Sequence, residues 1–187
     1  MSPQTLKTPG VAKVDGFSLI EVLVTMLILM GGLLGLAGLQ GVALTAQLES
    51  YQRSQALILV QDMAARLNAN RTAAASYVTT TAGTGIVATC PTAAGQTRDS
   101  CEWSNALLGA AETTSSGGAT LNVGAMVGAR GCITETVAVA PKQYLIEVAW
   151  QGFNPTFAPS GTCGAGTYGA ANLRRVVSLT VTIGSLI

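Results

Sequence analysis

The first 16 residues of the chain are mostly polar, and a long apolar stretch follows them. Between Gly16 and Leu48 the only charged side chain is Glu21. The segment from Phe17 to Leu39 alone has 23 residues. As a helix it is roughly 35 Å long, which is enough to cross a hydrocarbon core of about 30 Å. The pattern therefore predicts a membrane-spanning helix over residues 17–39.

Beyond this stretch the apolar residues recur at spacings of three and four, which is typical of one face of a helix. The apolar positions are Leu44, Leu48, Tyr51, Leu57, Val60, Ala64 and Leu67, and the polar ones are Glu49, Arg53, Gln61, Asp62 and Arg66. We therefore expect one continuous helix from about Phe17 to Asn70. Its second half is expected to pack one face on a globular domain formed by residues 71–187.

The pattern changes again after residue 70. Residues 71–118 are rich in Ala, Thr, Ser and Gly and predict loops and short elements, with a helix near 103–112. Strand signals follow at 132–139, 144–151 and 177–183, and the last two alternate with a period of two. Three or four strands after a long helix predict an antiparallel sheet packed on that helix, which is an α+β fold.

Five glycines lie inside the apolar half of the predicted helix. They are Gly31, Gly32, Gly35, Gly38 and Gly41, of which Gly31 and Gly35 form a GxxxG pattern that lets helices approach closely. A simpler interpretation is that they only reduce the bulk of a membrane helix. A third follows from the cost of glycine in a helix, about 1 kcal/mol relative to alanine, which makes local unwinding easy.

Composition argues against an enzyme and against a nucleic-acid-binding protein. The chain has no histidine, and its nine carboxylates are scattered, with no acid/base pair and no metal-ligand cluster. The formal net charge is +1, so no field of one sign steers the chain to nucleic acid. Arg174-Arg175 is the one adjacent basic pair, and such a pair is usually a solvated face. We therefore expect no catalysis, no cofactor, no metal and no nucleic-acid partner.

Four cysteines lie beyond the apolar stretch, at Cys90, Cys101, Cys132 and Cys163. An even number outside the membrane favours disulfides, and four cysteines allow three connectivities. The pairing Cys90–Cys101 with Cys132–Cys163 is favoured, because the first closes a loop of turn-forming residues. The second ties the start of a strand to the long C-terminal loop. Zinc and a catalytic dithiol are disfavoured, since there is no CxxC and no histidine.

Glu21 is the residue that a plain membrane anchor does not explain. A carboxylate inside a membrane span is costly and needs a partner. If the chain were cut after Gly16, Phe17 would carry a free amino group one helical turn from Glu21. In a stack of such helices, Glu21 of one subunit pairs with the new N-terminus of another, and the low dielectric strengthens that pairing.

The segment from Gly16 to Val22 resembles the class III signal of type IV pilins and pseudopilins, in which a glycine, a cut, a phenylalanine and a glutamate in the fifth mature position precede an apolar run. The resemblance implies a prepilin leader peptide over residues 1–16. It also implies that a prepilin peptidase cleaves between Gly16 and Phe17 and methylates Phe17, and that Glu21 aids recruitment into the filament. Where the family often has a basic residue before the glycine, this chain has Asp15.

Parts of the C-terminal region are similar to one group of minor pilins, the type IV pilus modification proteins (PilV). The similar pieces are Arg130–Ile133, Val148–Gly152, Cys163-Gly164 and Arg174-Arg175. This resemblance implies a minor subunit that, with other minor pilins, forms a complex at the pilus tip that primes assembly with the major pilin. Its partners would be those pilins, the prepilin peptidase and the inner-membrane assembly platform.

The same resemblance implies a location. Before assembly the chain would cross the inner membrane once, with its N-terminus in the cytoplasm and its head in the periplasm, as two lysines in the leader also indicate. After assembly it would lie in a surface pilus. Two alternatives stay open from the sequence. One is a minor pseudopilin of a type II secretion system, and the other is a signal-anchored exported enzyme or binding domain.

Overall fold

A computed structural model describes residues 16–124 and 126–184. The expectations for the leader, including its lysines and Asp15, therefore lie outside the described residues, apart from Gly16. The chain divides into two compact units, residues 1–44 and residues 45–187. The first unit contains an exposed apolar helical segment, and the second, called the head below, contains a hydrophobic core.

Helix α1 comprises Leu19–Ala69, within two residues of the predicted limits at each end, and it is uninterrupted through all five glycines. It begins after Ser18, whose carbonyl oxygen accepts the amide of Glu21 at 3.1 Å and that of Val22 at 3.3 Å. Glu21 lies in the first turn and Arg66 in the last. Both charges complement the helix dipole at their own end.

The head continues with a 3-10 helix (Arg71–Tyr77), β1 (Thr79–Ala82), α2 (Gln96–Leu107), a hairpin of β2 (Thr113–Ser116) and β3 (Ala119–Asn122), β4 (Val127–Val137), β5 (Lys142–Gln151), a short 3-10 helix (Ala171–Leu173) and β6 (Arg174–Ile183). Four strands form an antiparallel sheet in the order β1-β4-β5-β6. The α+β prediction is therefore confirmed, and so are strands close to 132–139, 144–151 and 177–183.

Two local predictions differ from the structure. The helix expected at 103–112 lies earlier, at Gln96–Leu107, and Gly109 follows it with a φ of +82° that a helix does not contain. The hairpin of β2 and β3 lies at the end of the region for which only loops and short elements were expected, and no strand was predicted there. Its two-residue turn has positive φ at both Gly117 (+60°) and Gly118 (+82°), the combination that a tight hairpin turn requires and that glycine adopts without strain.

The face of α1 that packs in the head is only partly the predicted one. Its buried residues are Gln52, Ala56, Val60, Met63, Ala64 and Leu67. Val60, Ala64 and Leu67 were predicted correctly. Leu44, Leu48, Tyr51 and Leu57 were not, because they are 60%, 51%, 47% and 41% exposed. This part of α1 is apolar on more than one face, and spacing alone does not tell which face the sheet covers.

The core of the head lies between α1, α2 and one face of the sheet. Alternate residues of β5 point into it: Tyr144, Ile146, Val148 and Trp150. Gln52 is buried there because its side-chain oxygen accepts the Trp150 indole N–H at 3.2 Å. From α2, Trp103 is 1% exposed and donates its indole N–H to the Leu59 carbonyl of α1 at 2.9 Å. Gly131 of β4 leaves room for this ring, since an added Cβ would lie 2.3 Å from it.

The opposite face of the sheet is covered as well. Residues 152–173 cross it. Cys163 and Tyr168 of this loop form a second buried cluster with Cys132 and Ala149 of the sheet. The Tyr168 hydroxyl donates to two carbonyl oxygens, those of Gly128 at 2.9 Å and Ala149 at 3.1 Å. The central strand β5 is therefore buried on both faces, by helices on one side and by an irregular loop on the other.

Candidate functional site

The N-terminal candidates lie together at the start of α1. Phe17 is 84% exposed, and the Glu21 side chain, one turn further on, is exposed as well. Within residues 16–124 and 126–184, the Glu21 carboxylate has neither a hydrogen bond nor an ion pair. Only its backbone amide is engaged, with Ser18. The carboxylate is thus available to a group outside this chain.

The apolar part of α1 has the properties of a membrane anchor. Its most apolar 18-residue window has a mean hydropathy of 2.4, and none of that window is buried in the structure. By length and composition, α1 is the one helix among the described residues that could cross a membrane. An added Cβ at Gly31 or at Gly35 would meet nothing within 4 Å, so the GxxxG surface is uncovered. These features are compatible with membrane anchoring.

Both cysteine pairs form disulfides in the head. Cys90 is bonded to Cys101 and Cys132 to Cys163, the pairing favoured from the sequence. The first joins the loop before α2 to α2 itself. The second joins β4 to the loop over the outer face of the sheet. Oxidised cysteines agree with a head that lies in an oxidising compartment.

The basic pair is not the solvated face that the sequence suggested. Arg174 is 6% exposed and donates to the carbonyls of Cys163 and Pro159, both at 2.8 Å. The Arg175 guanidinium pairs with Glu49 of α1 at 3.3 Å and also donates to the Asn154 carbonyl. Both arginines therefore fasten the loop after β5. This role could not be predicted from the sequence, because the acceptors are mostly backbone carbonyls.

Glu147 was also missed from the sequence. It is 5% exposed on the outer face of β5, and burial raises the pKa of its carboxyl group above the ordinary 4.5, although the Arg174 charge opposes the shift. Gly161 passes so close that an added Cβ would lie 2.3 Å from the carboxylate. A single carboxylate within an apolar strand predicts that a cation lies near it on the same face of the sheet. In the structure the nearby cation is Arg174.

We expect Glu147→Gln to increase the stability of the head at pH 7. Because the pKa of Glu147 is raised on folding, its ionised form costs stability above that pKa, and the cost vanishes as the pH falls below 4.5. The stability gained by the variant should therefore decrease as the pH falls from the raised pKa of Glu147 to 4.5. Urea unfolding of both proteins from pH 7 to pH 4 measures it.

The matched control is Glu135→Gln, for which the sign is opposite. Lys142, at 3.0 Å, lowers the pKa of Glu135 below the ordinary 4.5, so this carboxylate adds stability above pH 4.5 and loses it as the pH falls further. The control should be less stable than the parent at pH 7. A Glu147→Gln gain that stays constant with pH would contradict the burial argument.

A third polar cluster joins α2 to the end of α1. The Tyr77 hydroxyl donates to Asp99 at 2.5 Å, and Arg66 reaches Asp99 at 3.2 Å and Glu102 at 2.6 Å. Burial and the Asp99 carboxylate raise the pKa of Tyr77 to about 12. The charged and polar groups of this cluster bind one another. Among the described residues, no three or more His, Cys, Asp or Glu side chains are grouped so that they could hold a metal ion.

One apolar exposed helix joined to a disulfide-bonded antiparallel head is the pilin-like α+β fold. The family model described as Type IV pilin Tt1218 (Tt1218-like) matches residues 38–107. These 70 of 187 residues comprise the second half of α1, the first 3-10 helix, β1 and α2. No curated protein and no solved structure matched the chain. Fold and match together support a place in the type IV pilin superfamily, whose members assemble with other pilins.

Proposed function

We propose that this protein is a minor type IV pilin that takes part in priming pilus assembly, without catalysis of its own. The observation that carries the proposal is Glu21. It is the one charged side chain between Gly16 and Leu48, the exposed apolar part of α1, and its carboxylate has no partner within the described part of the chain. A membrane carboxylate of this kind requires a cation, and a pilin assembly supplies one on a neighbouring subunit.

In this proposal the cation is created by processing. A prepilin peptidase cuts between Gly16 and Phe17 and methylates the new amine of Phe17. Methylation leaves the amine able to carry a positive charge. Phe17 is 84% exposed in the structure, so the cleavage point is accessible along this segment. The methylated amine of one subunit then pairs with Glu21 of the next and sets the axial register of the helices.

The assignment to minor pilins of the PilV type rests on the head. The pieces that resemble that group lie at residues 130–133, 148–152, 163–164 and 174–175, outside the matched segment. In the structure these pieces meet: Cys132 is bonded to Cys163, and Arg174 donates to the Cys163 carbonyl. Each piece thus contributes a residue to the outer face of the sheet, Cys132, Ala149, Cys163 and Arg174, which supports treating them as a single shared feature.

We expect Gly16→Ala to block cleavage and Glu21→Gln to permit cleavage but reduce recovery of the protein in sheared pili about tenfold or more. Glutamine keeps the shape of glutamate and removes the charge that the assembly needs. Intact mass and N-terminal sequencing report processing, and immunoblots of the pilus fraction report incorporation.

The charge-retaining control is Glu21→Asp, which should incorporate better than Glu21→Gln. Normal incorporation of Glu21→Gln would remove the role given to the carboxylate. A wild-type chain that keeps its leader in its native membrane would contradict the proposal as a whole. If a deletion strain lost type II cargo export and kept its surface pili, the protein would instead be assigned to a type II secretion system.

A further inference from the structure

The last strand of the sheet has an open edge. β6 pairs on one side with β5 through ten consecutive residue pairs, from Lys142↔Ile183 to Gln151↔Arg174, without a register shift. On its other side, residues 176–183 make no backbone hydrogen bond with any segment that the structure describes. Ser178, Leu179, Thr180 and Thr182 are exposed. A row of free N–H and C=O groups of this kind is a template for another strand.

This edge lacks the features with which proteins usually prevent strand addition. Residues 176–183 contain no charge and no proline, and their pairing has no bulge. The two charged residues of the strand, Arg174 and Arg175, are occupied by the loop carbonyls and by Glu49. The opposite edge, β1, has a shorter row of main-chain groups, since it has four residues and its pairing with β4 is irregular.

There is also room beside the edge. A groove of about 360 Å³ lies between the head part of α1 and the first half of β6. Ser50 and Arg53 line it from the helix, and Val176 and Val177 line it from the strand. Side chains of an added strand would have a place on the helix side of the sheet.

We propose that β6 accepts an antiparallel strand from a neighbouring pilin of the same polarity, supplied by the edge equivalent to β1. The inference rests on the proposed function, and it identifies the surface through which the head contacts its neighbour. The main-chain hydrogen bonds of the added strand give affinity, and residues 176–183 and 79–82 themselves bring no charge into the pairing.

The strand directions select this occupant over a second copy joined through its own β6. Two β6 strands in antiparallel pairing are related by a two-fold axis perpendicular to the sheet. This rotation reverses the helix that lies on the sheet, so α1 would enter the two heads from opposite ends. Subunits anchored in one membrane have the same polarity, which excludes that dimer for them.

Pairing with a β1 edge preserves the polarity. Direction alternates across the four strands, so β1 is antiparallel to β6. A second head placed beside the first in the same orientation therefore brings its β1 antiparallel to β6. The contact is heterologous, and heterologous contacts that do not close generate helical filaments. β1 itself, Thr79–Ala82, is uncharged and short, as a strand added at such an edge can be.

A photo-crosslinking amino acid at Thr180 in the full chain, in cells that assemble pili, tests the contact directly. We expect an adduct with another pilin, mapped to the strand that follows its long helix. The same probe at Ser115, an exposed residue of β2, is the control and should give no such adduct. An adduct at Thr180 that maps elsewhere, or no adduct there, would overturn the inference.

A pair of lysines tests whether the contact matters. Thr180→Lys with Thr182→Lys places two charges on the edge strand opposite the neutral residues Leu145 and Gln143. We expect the amount in sheared pili to fall about tenfold or more, with an unchanged melting temperature. Thr114→Lys with Ser116→Lys in β2 has the same charge and spacing and should incorporate normally.

The outcomes separate the two proposals. A wild-type chain that is absent from pili would refute the proposed function itself. A wild-type chain that is present, together with normal incorporation of the β6 lysine variant, would refute only the strand contact. Equal losses from the β6 and β2 variants would also refute it, because added charge alone would then explain the effect.

Discussion

Trp103→Ala is expected to remove about 3–5 kcal/mol from the free energy of unfolding, a large part of the total for a domain of this size. The indole is 1% exposed between α1, α2 and the sheet, and its N–H bonds the Leu59 carbonyl at 2.9 Å. Truncation leaves a cavity that none of these elements can fill. Chemical denaturation of the full chain in detergent, followed by the fluorescence of Trp150, measures the loss.

Trp103→Phe separates packing from hydrogen bonding, since it keeps most of the ring volume and loses only the N–H. It should cost much less than alanine. Gly131→Ala examines the same contact from β4, where the new Cβ would lie 2.3 Å from the indole and 2.7 Å from the Leu107 side chain. We expect a loss of about 1–3 kcal/mol. Unchanged stability of Trp103→Ala would mean that α2 does not hold the helix to the sheet.

Removal of the Cys132–Cys163 disulfide by a double serine substitution is expected to cost about 4 kcal/mol, because the bond closes a loop with a sequence separation of 31. In addition, the loop that covers the outer face would no longer be tied to β4. Ala149 and Tyr168 should then become accessible. Denaturation curves give the free energy, and limited proteolysis within residues 152–173 reports the detachment.

The matched comparison is the double serine variant of Cys90 and Cys101. That disulfide has a separation of 11, so its loss should cost about 3 kcal/mol and leave the outer face protected. If cleavage within 152–173 were equally slow in both variants, the Cys132–Cys163 bond would not be what holds the loop. If the Cys90–Cys101 variant were the less stable of the two, the loop-length argument would be wrong.

The parts of the fold that local pattern determines were predictable. The limits of α1 follow from an apolar run and a helical period, and β5 and β6 follow from alternation, so each lies within a few residues of its expected place. The hairpin of β2 and β3 was not predictable from hydrophobicity, because its strand residues are Thr, Ser, Ala, Leu and Asn around a Gly-Gly turn. Its pairing depends on turn geometry rather than on an apolar face.

Residues whose role depends on distant segments were the least predictable. Gln52 was not among the predicted core residues, yet it is 2% exposed, because a tryptophan 98 positions away donates to it. Arg174 reads as solvated, yet the loop carbonyls that surround it are placed by the disulfide. At the N-terminus, by contrast, the proposed roles depend on residues that are close in sequence. The candidate residues Gly16, Phe17 and Glu21 are adjacent in sequence, so the sequence alone brings them together.

The two indole bonds also bear on how the head behaves under mechanical force. Trp150 of β5 holds α1 at Gln52, and Trp103 of α2 holds it at Leu59, about 10 Å further along the helix. A pull along α1 must displace both aromatic side chains at once, because they are fixed to different elements. Forced extraction is limited by the rate of that joint step rather than by equilibrium stability. The head is thus held to α1 at two separate points along the direction of such a force.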